Sequence, residues 1–501
     1  MRRWFLCAAL LALPAAAQVR FEDIRQGEGA NWLTYYGDYG ARRYSPLRQI
    51  NRQTVGSLVP KWTYHVEGAK HLETTPLVCD GVMYITNTNE VYALDARTGR
   101  SIWHYKAEQS KRENVNRGVA IMGNRVFFAT GDAHLVALHR TTGAVLWDKQ
   151  YADAKKNQTA TLAPLALKDR VIVGVTGGDS GNRGFVAALS ASTGEELWRF
   201  WTVPAKGEPG AETWGDFAVE WGGASTWMTG TYDSELNLIY WQTGNPWPDF
   251  YGRGRQGDDL YSCSVVALDA GTGKLRWYFQ FTPHDTHDWD AQSIPVLIDA
   301  NFGGRPRKLL LHANRNGFFY VLDRTNGEFL RAKPFVDKLN WATGIDAKGR
   351  PIEVPDMDPA ASGKRVCPSV RGASNWMNPS YDPETGLFYV PTLEQCDTYT
   401  SSAEKPEPMK GFAGGGGEEI PTEPGKFYLR ALDPRTGERR WEYPMTGPRT
   451  MWAGTVATAG GLVFFGDDDG QLVALDAKTG THLWHYYMGQ LLTASPITYS
   501  V

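Results

Sequence analysis

The sequence predicts an all-β fold, a β-propeller, and three observations carry that reading. The first is a recurring pattern, Ala-Leu-(Asp or similar)-x-x-Thr-Gly-x-x-x-Trp. Its first and last residues fall at Ala93 and Trp103, Ala137 and Trp147, Ala188 and Trp198, Ala267 and Trp277, Ala431 and Trp441, and Ala474 and Trp484. The second is composition: 54 Gly and 19 Trp in 501 residues, enough for many tight turns and a bulky aromatic reused for packing. The third is the Val-rich runs ahead of the motif, such as Arg125-Val126-Phe127-Phe128 and Arg170-Val171-Ile172-Val173. Each copy reads as strand, a turn where Gly supplies a positive φ, then strand. Short strands with a periodic Gly and aromatic at roughly 40–50-residue spacing mark propeller blades. A β-helix has shorter repeats, and separate sandwiches would not share one motif.

Taken in chain order, the first segment is a secretory signal over 1–17. Arg2 and Arg3 give its charge, 4–13 its apolar run, and Ala15-Ala16-Ala17 a small-residue cleavage site. That run is too short to span a bilayer, and no later stretch reaches about 18 apolar residues. The mature chain, 18–501, is expected as one propeller domain in the periplasm. The Trp of each repeat is the expected wedge between neighbouring blades, its indole N–H reaching a backbone carbonyl. Val321-Leu322-Asp323-Arg324-Thr325-Asn326-Gly327 is a variant copy with Arg331 where Trp would stand, and Tyr381-Asp382-Pro383-Glu384-Thr385-Gly386 is a weaker one. The irregular gaps, 198–277 and 331–441, mark insertions, and long insertions usually hold function. The Gly/Glu/Pro-rich stretch 409–425 reads as a flexible surface loop.

The charge balance, 52 Lys+Arg against 55 Asp+Glu, argues against a dedicated nucleic-acid binder. Beyond Cys7 in the signal, four cysteines remain: Cys79, Cys263, Cys367 and Cys396. Four allow three pairings, and sequence alone does not choose. No Cys-x-x-Cys-His occurs, so no c-type haem is attached to this chain.

The stretch richest in chemistry is Thr282-Pro283-His284-Asp285-Thr286-His287-Asp288-Trp289-Asp290. Asp288 and Asp290 sit two apart, so in an extended segment both carboxylates point to one face. Two like charges that close are costly unless a cation lies between them or one is protonated.

With its Trp repeats and the motifs that follow, the chain from about Trp32 onward resembles the pyrroloquinoline quinone (PQQ)-dependent alcohol dehydrogenases. The resemblance implies eight blades, a periplasmic location, and a metal plus the quinone on the propeller axis. Glu73 in Leu72-Glu73-Thr74-Thr75-Pro76 resembles the glutamate that hydrogen-bonds the quinone. Arg117 in Val115-Asn116-Arg117-Gly118 matches the arginine that pairs with a quinone carboxylate, and Thr161 a hydroxyl donor to the same group. Thr176-Gly177-Gly178-Asp179 matches the segment that lines the cofactor and supplies a metal carboxylate. Trp227 fits the stacking tryptophan and Asn245 the amide-oxygen metal ligand. Asp288 fits the catalytic base and Arg315 the guanidinium at the reactive carbonyls. Asn375-Trp376 and Trp452 complete the rim.

The chemistry asks for these residue types on its own terms. A tricarboxylated planar quinone needs cationic and hydroxyl donors at its edge and an aromatic floor. A hard cation needs oxygen ligands, here Asp179, Asn245, Asp288 and Asp290. The alcohol O–H needs a base within reach, for which Asp288 is the candidate, and Arg315 would stabilise negative charge on the acceptor. In the lanthanide-using members of the family an extra Asp lies two residues beyond the catalytic one. Asp288-Trp289-Asp290 resembles that pattern, which favours a lanthanide(III) over Ca2+ as the single metal ion.

Four departures from the family pattern stand out. Asp179 replaces the usual Glu, and its shorter arm bears on the ion. Lys111-Arg112 occupies the place of the adjacent-cysteine pair. The chain stops at Val501, soon after Ser495-Pro496-Ile497-Thr498-Tyr499, so closure is expected by another route or incomplete. A fused haem domain is absent, so electrons are expected to pass to a separate soluble cytochrome c. A Cys367–Cys396 bridge is expected across the insertion bearing Asn375, with Cys79 and Cys263 as buried thiols. Expected partners are a small, primary alcohol and a second copy as a homodimer, with no stable membrane insertion. The competing expectation is a non-catalytic or degenerate propeller scaffold of the cell envelope. A scaffold has no reason to keep Asp288, Asn245, Arg315, Glu73 and Trp227 together.

Overall fold

In every repeat the Ala of the motif pairs directly across two antiparallel strands with the Trp ten residues later. Ala93 faces Trp103, Ala137 Trp147, Ala188 Trp198, Ala267 Trp277, Ala431 Trp441 and Ala474 Trp484. In the variant copy Val321 faces Arg331. A small residue opposite a large ring fits a cross-strand pair whose partners share one face. Immediately after each pair the register slips by one residue. The slip is a β-bulge, which bends and twists the outer strand. The bulged residue turns outward, which explains why Ile102, Leu146 and Leu197 are exposed.

The turn between the strands is also written in the motif. Asp95 Oδ1 accepts the N–H groups of Arg97 and Thr98, and the Gly99 N–H donates to Asp95 O. Gly99 takes φ 72°, a conformation that costs a residue with Cβ.

The computed structural model describes residues 18–27, 29–410, 416–447 and 453–501. Among these, seven four-stranded antiparallel sheets follow one another over 77–106, 120–150, 165–201, 231–280, 296–334, 380–444 and 455–487. The last gains a fifth strand from the start of the chain: Tyr44–Ser45 pairs in parallel with Thr455–Thr458. The only α-helix among the described residues is Phe21–Gln26, and no helix there is long and apolar enough to cross a membrane. The first three strands of each sheet are largely buried, whereas the fourth alternates, as in Ser101–Lys106. First strands of several neighbouring sheets approach one another, so that edge lines the centre.

Tryptophans from successive sheets touch the turn of the next repeat. Trp103 donates its indole N–H to Arg140 O (3.1 Å), Trp198 to Ala270 O (3.1 Å), Trp277 to Arg324 O (3.2 Å) and Trp441 to Ala477 O (3.3 Å). Each ring lies on the motif glycine of the next repeat; a Cβ on Gly143 would meet the Trp103 ring at 2.7 Å. Trp147 sits likewise on Gly194, but its N–H finds no partner among the described residues. Arg331, standing for Trp, reaches Thr436 O instead (3.3 Å).

Of the stretch 409–425 expected as a loop, residues 411–415 lie outside the described residues, and part of the remainder is strand. Glu419–Pro421 is not a loop: it pairs with Asp397–Tyr399, which pairs with Lys364–Val366. Gly417 permits this by close approach, since a Cβ there would lie 1.9 Å from Thr400 O. Cys367 and Cys396 form a disulfide across this sheet, and Cys79 and Cys263 are buried free thiols. The signal segment 1–17 and Trp452 lie outside the described residues.

Candidate active site

The candidate residues come from two kinds of loop. Glu73, Arg117, Thr161, Trp227, Asp288, Asp290 and Asn375 lie just ahead of the first strand of a sheet. Thr176, Gly177, Gly178, Asp179, Asn245 and Arg315 follow the second strand. Both loop types open at the same end of the sheets, so residues 73–376 converge there despite their distance in sequence.

The Asp288 loop is built by Asp285, whose carboxylate accepts the N–H groups of His287 (3.2 Å) and Trp289 (2.9 Å). This turn holds Asp288 at φ 57°, a left-handed conformation of the kind stored at functional sites. Trp289 is fully buried, with its indole N–H on Ser369 O (3.1 Å) and its ring stacked on His287. Asp288 and Asp290 therefore point the other way, and both meet Arg315, at 3.6 and 2.8 Å. They share a partner as the spacing suggested, but by way of a left-handed turn at Asp288 and not an extended segment.

Their environments differ. Asp290 Oδ1 accepts the Asn245 N–H (2.8 Å), and Oδ2 accepts the Trp227 indole N–H (3.1 Å) and Arg315 Nη1–H (2.8 Å). Asp290 thus ties three loops together. Gly244 makes room for it, since a Cβ there would sit 2.4 Å from Asp290 Oδ1. Asp288 accepts no hydrogen bond from a described residue; its one ionic neighbour is Arg315. Arg315 also donates to Val370 O.

A second patch adjoins this one. Arg117 pairs with Glu73 at 2.6 Å, and its guanidinium lies 5.0 Å from the Trp227 ring centre and 4.8 Å from that of Trp376. The Arg117 N–H donates to Thr161 O (3.1 Å), and Thr161 Oγ1 donates to Trp227 O (3.4 Å). The Asn375 amide donates to Arg371 O and accepts the Trp376 N–H, which fixes the Trp376 loop. Gly177 and Gly178 answer to packing, because a Cβ would fall 2.0 Å from Asn157 O and 2.5 Å from Ser225 Oγ. Thr176 exchanges backbone hydrogen bonds with Thr159. Lys111 and Arg112 are exposed; Lys111 donates to Glu108 O, and Arg112 to Asn157 Oδ1 (3.2 Å) beside Gly177.

The family model described as "Glucose/ethanol/alcohol dehydrogenase, beta-propeller domain" matches residues 32–332. The quinoprotein alcohol dehydrogenase PedH of Pseudomonas putida is 39% identical over 99% of this chain and 89% of its own length. This chain belongs to the PQQ-dependent alcohol dehydrogenase family. As such it is an oxidoreductase acting on alcohols, with PQQ as cofactor. The solved quinohemoprotein alcohol dehydrogenase ADHIIG from Pseudomonas putida HK5 superposes with a TM-score of 0.90 at 36% identity. That match covers 97% of this chain and 77% of that one. The lanthanide-dependent methanol dehydrogenase of Methylacidiphilum fumariolicum is 35% identical over 94% of this chain and 83% of its own length. A second family model, the outer membrane protein assembly factor BamB, matches 425–499 alone. The scaffold expectation therefore yields to the enzyme.

The donor set of this dehydrogenase fits a polar cofactor and a cation. Buried Arg117 Nε and Arg315 Nε have no acceptor among the described residues, and Asn245 Oδ1 has no donor. Among the described residues no three acidic, histidine or cysteine side chains form an ion-holding group on their own. An ion here calls for amide oxygen as well, and Asn245 Oδ1 is free to supply it.

Charge is unbalanced at the site. Burial, then Asp290, pushes the Asp179 carboxyl up to about 7, although part of its surface stays accessible. Burial also drives Asp288 well above the carboxylate range, with Arg315 opposing and Asp179, Asp290 and Asp249 adding to it. Asp290 is raised by burial, against Arg315 and its hydrogen bonds.

Asp249 was not singled out from the sequence. It is fully buried, 2.7 Å from Asn245 Nδ2, and raised well above the usual range by burial and then by Asp179. The one sequence signal for it is an acid four residues beyond Asn245. Arg255 was missed as well. It is fully buried, pairs with Asp259 and donates to Pro248 O (2.8 Å) and Asp285 O (2.9 Å), clamping the Asn245 loop to the Asp288 loop.

Proposed function

We propose that this dehydrogenase oxidises a primary alcohol to the aldehyde in the periplasm, with one metal ion beside PQQ and Asp288 as the general base. The observation that carries the assignment is the contrast between the paired carboxylates. Asp290 has both oxygens engaged by three donors, whereas Asp288 accepts none and keeps its lone pairs for a substrate O–H.

When bound, PQQ supplies the two-electron acceptor. Trp227 would provide the aromatic floor, with Arg117 and Thr161 at its edge as donors to a carboxylate group and Glu73 as a hydrogen-bond acceptor for the quinone. Asn245, Asp179, Asp288 and Asp290 would supply oxygen ligands to the ion. Arg315, held by Asp290, carries its positive charge to where negative charge develops, and Asp288 takes the alcohol proton at a carboxylate oxygen. Asp290 as an extra acid favours a lanthanide(III) over Ca2+, because a trivalent ion offsets more of the local negative charge.

The Cys367–Cys396 disulfide supports an oxidising compartment, in keeping with the signal sequence. The electron acceptor is a separate soluble cytochrome c. Eight blades are favoured by Trp62, whose N–H donates to Ala96 O (3.2 Å) while its ring lies on Gly99. That repeats the wedge contact of the other sheets from a segment ahead of the first one. The segment 493–500 lies beside it, with Thr493 on Leu72 O and Tyr499 on Ala96 O.

The test is steady-state alcohol oxidation by the PQQ- and metal-loaded enzyme with Asp288→Asn alongside. Loss of a general base lowers kcat by about 10²–10⁴-fold. A variant that keeps kcat within threefold of wild type removes Asp288 from the role.

A further inference from the structure

The Asn245 carboxamide has two unlike ends, and only one of them can bind a cation. Its Nδ2 donates to Asp249 Oδ1 at 2.7 Å, with a long contact to Pro246 O at 3.5 Å, while Oδ1 has no partner among the described residues. With Asp249 ionised, as it is beside a bound cation, turning the amide over would set its oxygen against the carboxylate, acceptor against acceptor. Asp249 therefore decides that oxygen faces away from it.

Asp249 is itself a demanding group to bury. It is 0% exposed, its Oδ2 has no partner, and it forms no ion pair with a described residue. The guanidinium on the same loop, Arg255, is engaged by Asp259 Oδ2 and by the carbonyls of Pro248 and Asp285. A buried carboxylate without a cation is unfavourable unless it takes a proton or a counter-charge arrives. Four acids gather here, Asp179, Asp249, Asp288 and Asp290, and Arg315 is the cation ion-paired with two of them. Each carboxylate that is ionised around a bound ion adds negative charge that Arg315 alone does not offset, and this favours an ion of higher charge.

We propose that Asp249 is a positioning residue of the ion site, which orients the Asn245 side-chain oxygen toward the ion and adds the buried charge that favours a trivalent over a divalent ion. This rests on the reading that the site holds an ion at all. Ligand orientation by a neighbouring carboxylate is a general device of metal sites, and disturbing such a partner typically weakens binding by about 10–100-fold.

The experiment measures ion binding rather than turnover. Chelator-treated full-length protein is titrated with Tb3+, read by Trp-sensitised luminescence, and with Ca2+, read by calorimetry. Asp249→Asn keeps an oxygen for Asn245 Nδ2 and removes the charge. It is expected to weaken Tb3+ by about 10–100-fold and Ca2+ by clearly less, so the Tb3+/Ca2+ ratio falls about tenfold. Should that variant melt out, Asp249→Glu replaces it and is expected to weaken both ions while keeping their ratio within about threefold. Asn245→Ala serves as the ion-site control. If wild type binds Tb3+, Asn245→Ala loses it, and Asp249→Asn leaves both affinities within twofold, the role given to Asp249 is overturned and the ion site stands. A collapse of the ratio in Asp249→Glu overturns it equally. No Tb3+ or Ca2+ binding by wild type overturns the ion site and Asp249 with it.

Discussion

Replacing Asp290 with asparagine removes one charge and exchanges one acceptor oxygen for an NH2 group. In the native site Oδ1 serves the Asn245 N–H and Oδ2 serves Trp227 and Arg315. An asparagine can offer oxygen to one side only. With its oxygen toward Trp227 and Arg315, its NH2 faces the Asn245 N–H, donor against donor, in a site only 4% exposed. A hydrogen bond to a charged group contributes about 1.5–3 kcal/mol, and a buried donor left without a partner costs about 1–3 kcal/mol. The two together come to about 2.5–6 kcal/mol, before the weakened Arg315 pair is counted. At about 1.4 kcal/mol per decade, kcat/KM for alcohol oxidation falls about 10²–10⁴-fold if the whole effect reaches the transition state. A share taken by folding appears as a lower Tm instead. Steady-state kinetics of the loaded variant and a thermal melt measure the two parts. A variant within threefold of wild-type kcat/KM and with an unchanged Tm would refute Asp290 as the tie between Trp227, Arg315 and the Asn245 loop.

Three further predictions concern the frame that holds the site. Gly143 and Gly386 have nearly the same φ, 70° and 69°, but a Cβ meets the Trp103 ring at the first and nothing within 4 Å at the second. Gly386→Ala should cost about 1–2 kcal/mol for the left-handed backbone, and Gly143→Ala clearly more because the wedge must shift; equal Tm losses would remove the wedge from the account. His312 is fully buried against Phe281, and burial lowers its pKa to about 3. Below its unfolded value of about 6.5 the unfolded chain binds a proton that the folded chain does not, so stability falls with pH, by about 2 kcal/mol at pH 5. His312→Gln should flatten that decline in urea unfolding at pH 7 and pH 5, and an unchanged slope would assign it elsewhere. The Cys367–Cys396 bridge closes a segment with a sequence separation of 29. The double Ser variant should lose about 3–4 kcal/mol on the chain-entropy relation, and a loss under 1 kcal/mol in urea would contradict that.

Local pattern was legible wherever the determinant lay within one repeat. The Ala–Trp pair, the glycine turn and the strand-turn-strand unit could be read because their partners lie within a dozen residues. The spacing of Asp288 and Asp290 pointed to a shared partner, and both reach Arg315, but through a left-handed turn at Asp288 that the two-residue period of an extended chain does not describe. What was not legible depends on contacts between sheets. Nothing near Glu73 announces Arg117 as its ion partner, 44 positions on and from the neighbouring sheet. Asp249 stands in no motif, and only the fold shows it against Asn245. The strand Glu419–Pro421 was hidden because its glycines and prolines read as a loop, whereas Gly417 is there to let two backbones approach. Nothing in the sequence showed that Asn375 would also hold its own loop through Arg371 O and the Trp376 N–H.

The most direct measurement of the central claim is dye-linked alcohol oxidation by the mature chain, reconstituted with PQQ and either a light lanthanide or Ca2+. The account predicts turnover of a primary alcohol with the lanthanide and weak or no turnover with Ca2+. Turnover with Ca2+ alone would keep the alcohol dehydrogenase and remove the trivalent ion. Failure to bind PQQ or to oxidise alcohols with either ion would contradict the assembly of Asp288, Arg315, Arg117 and Trp227 into one active site.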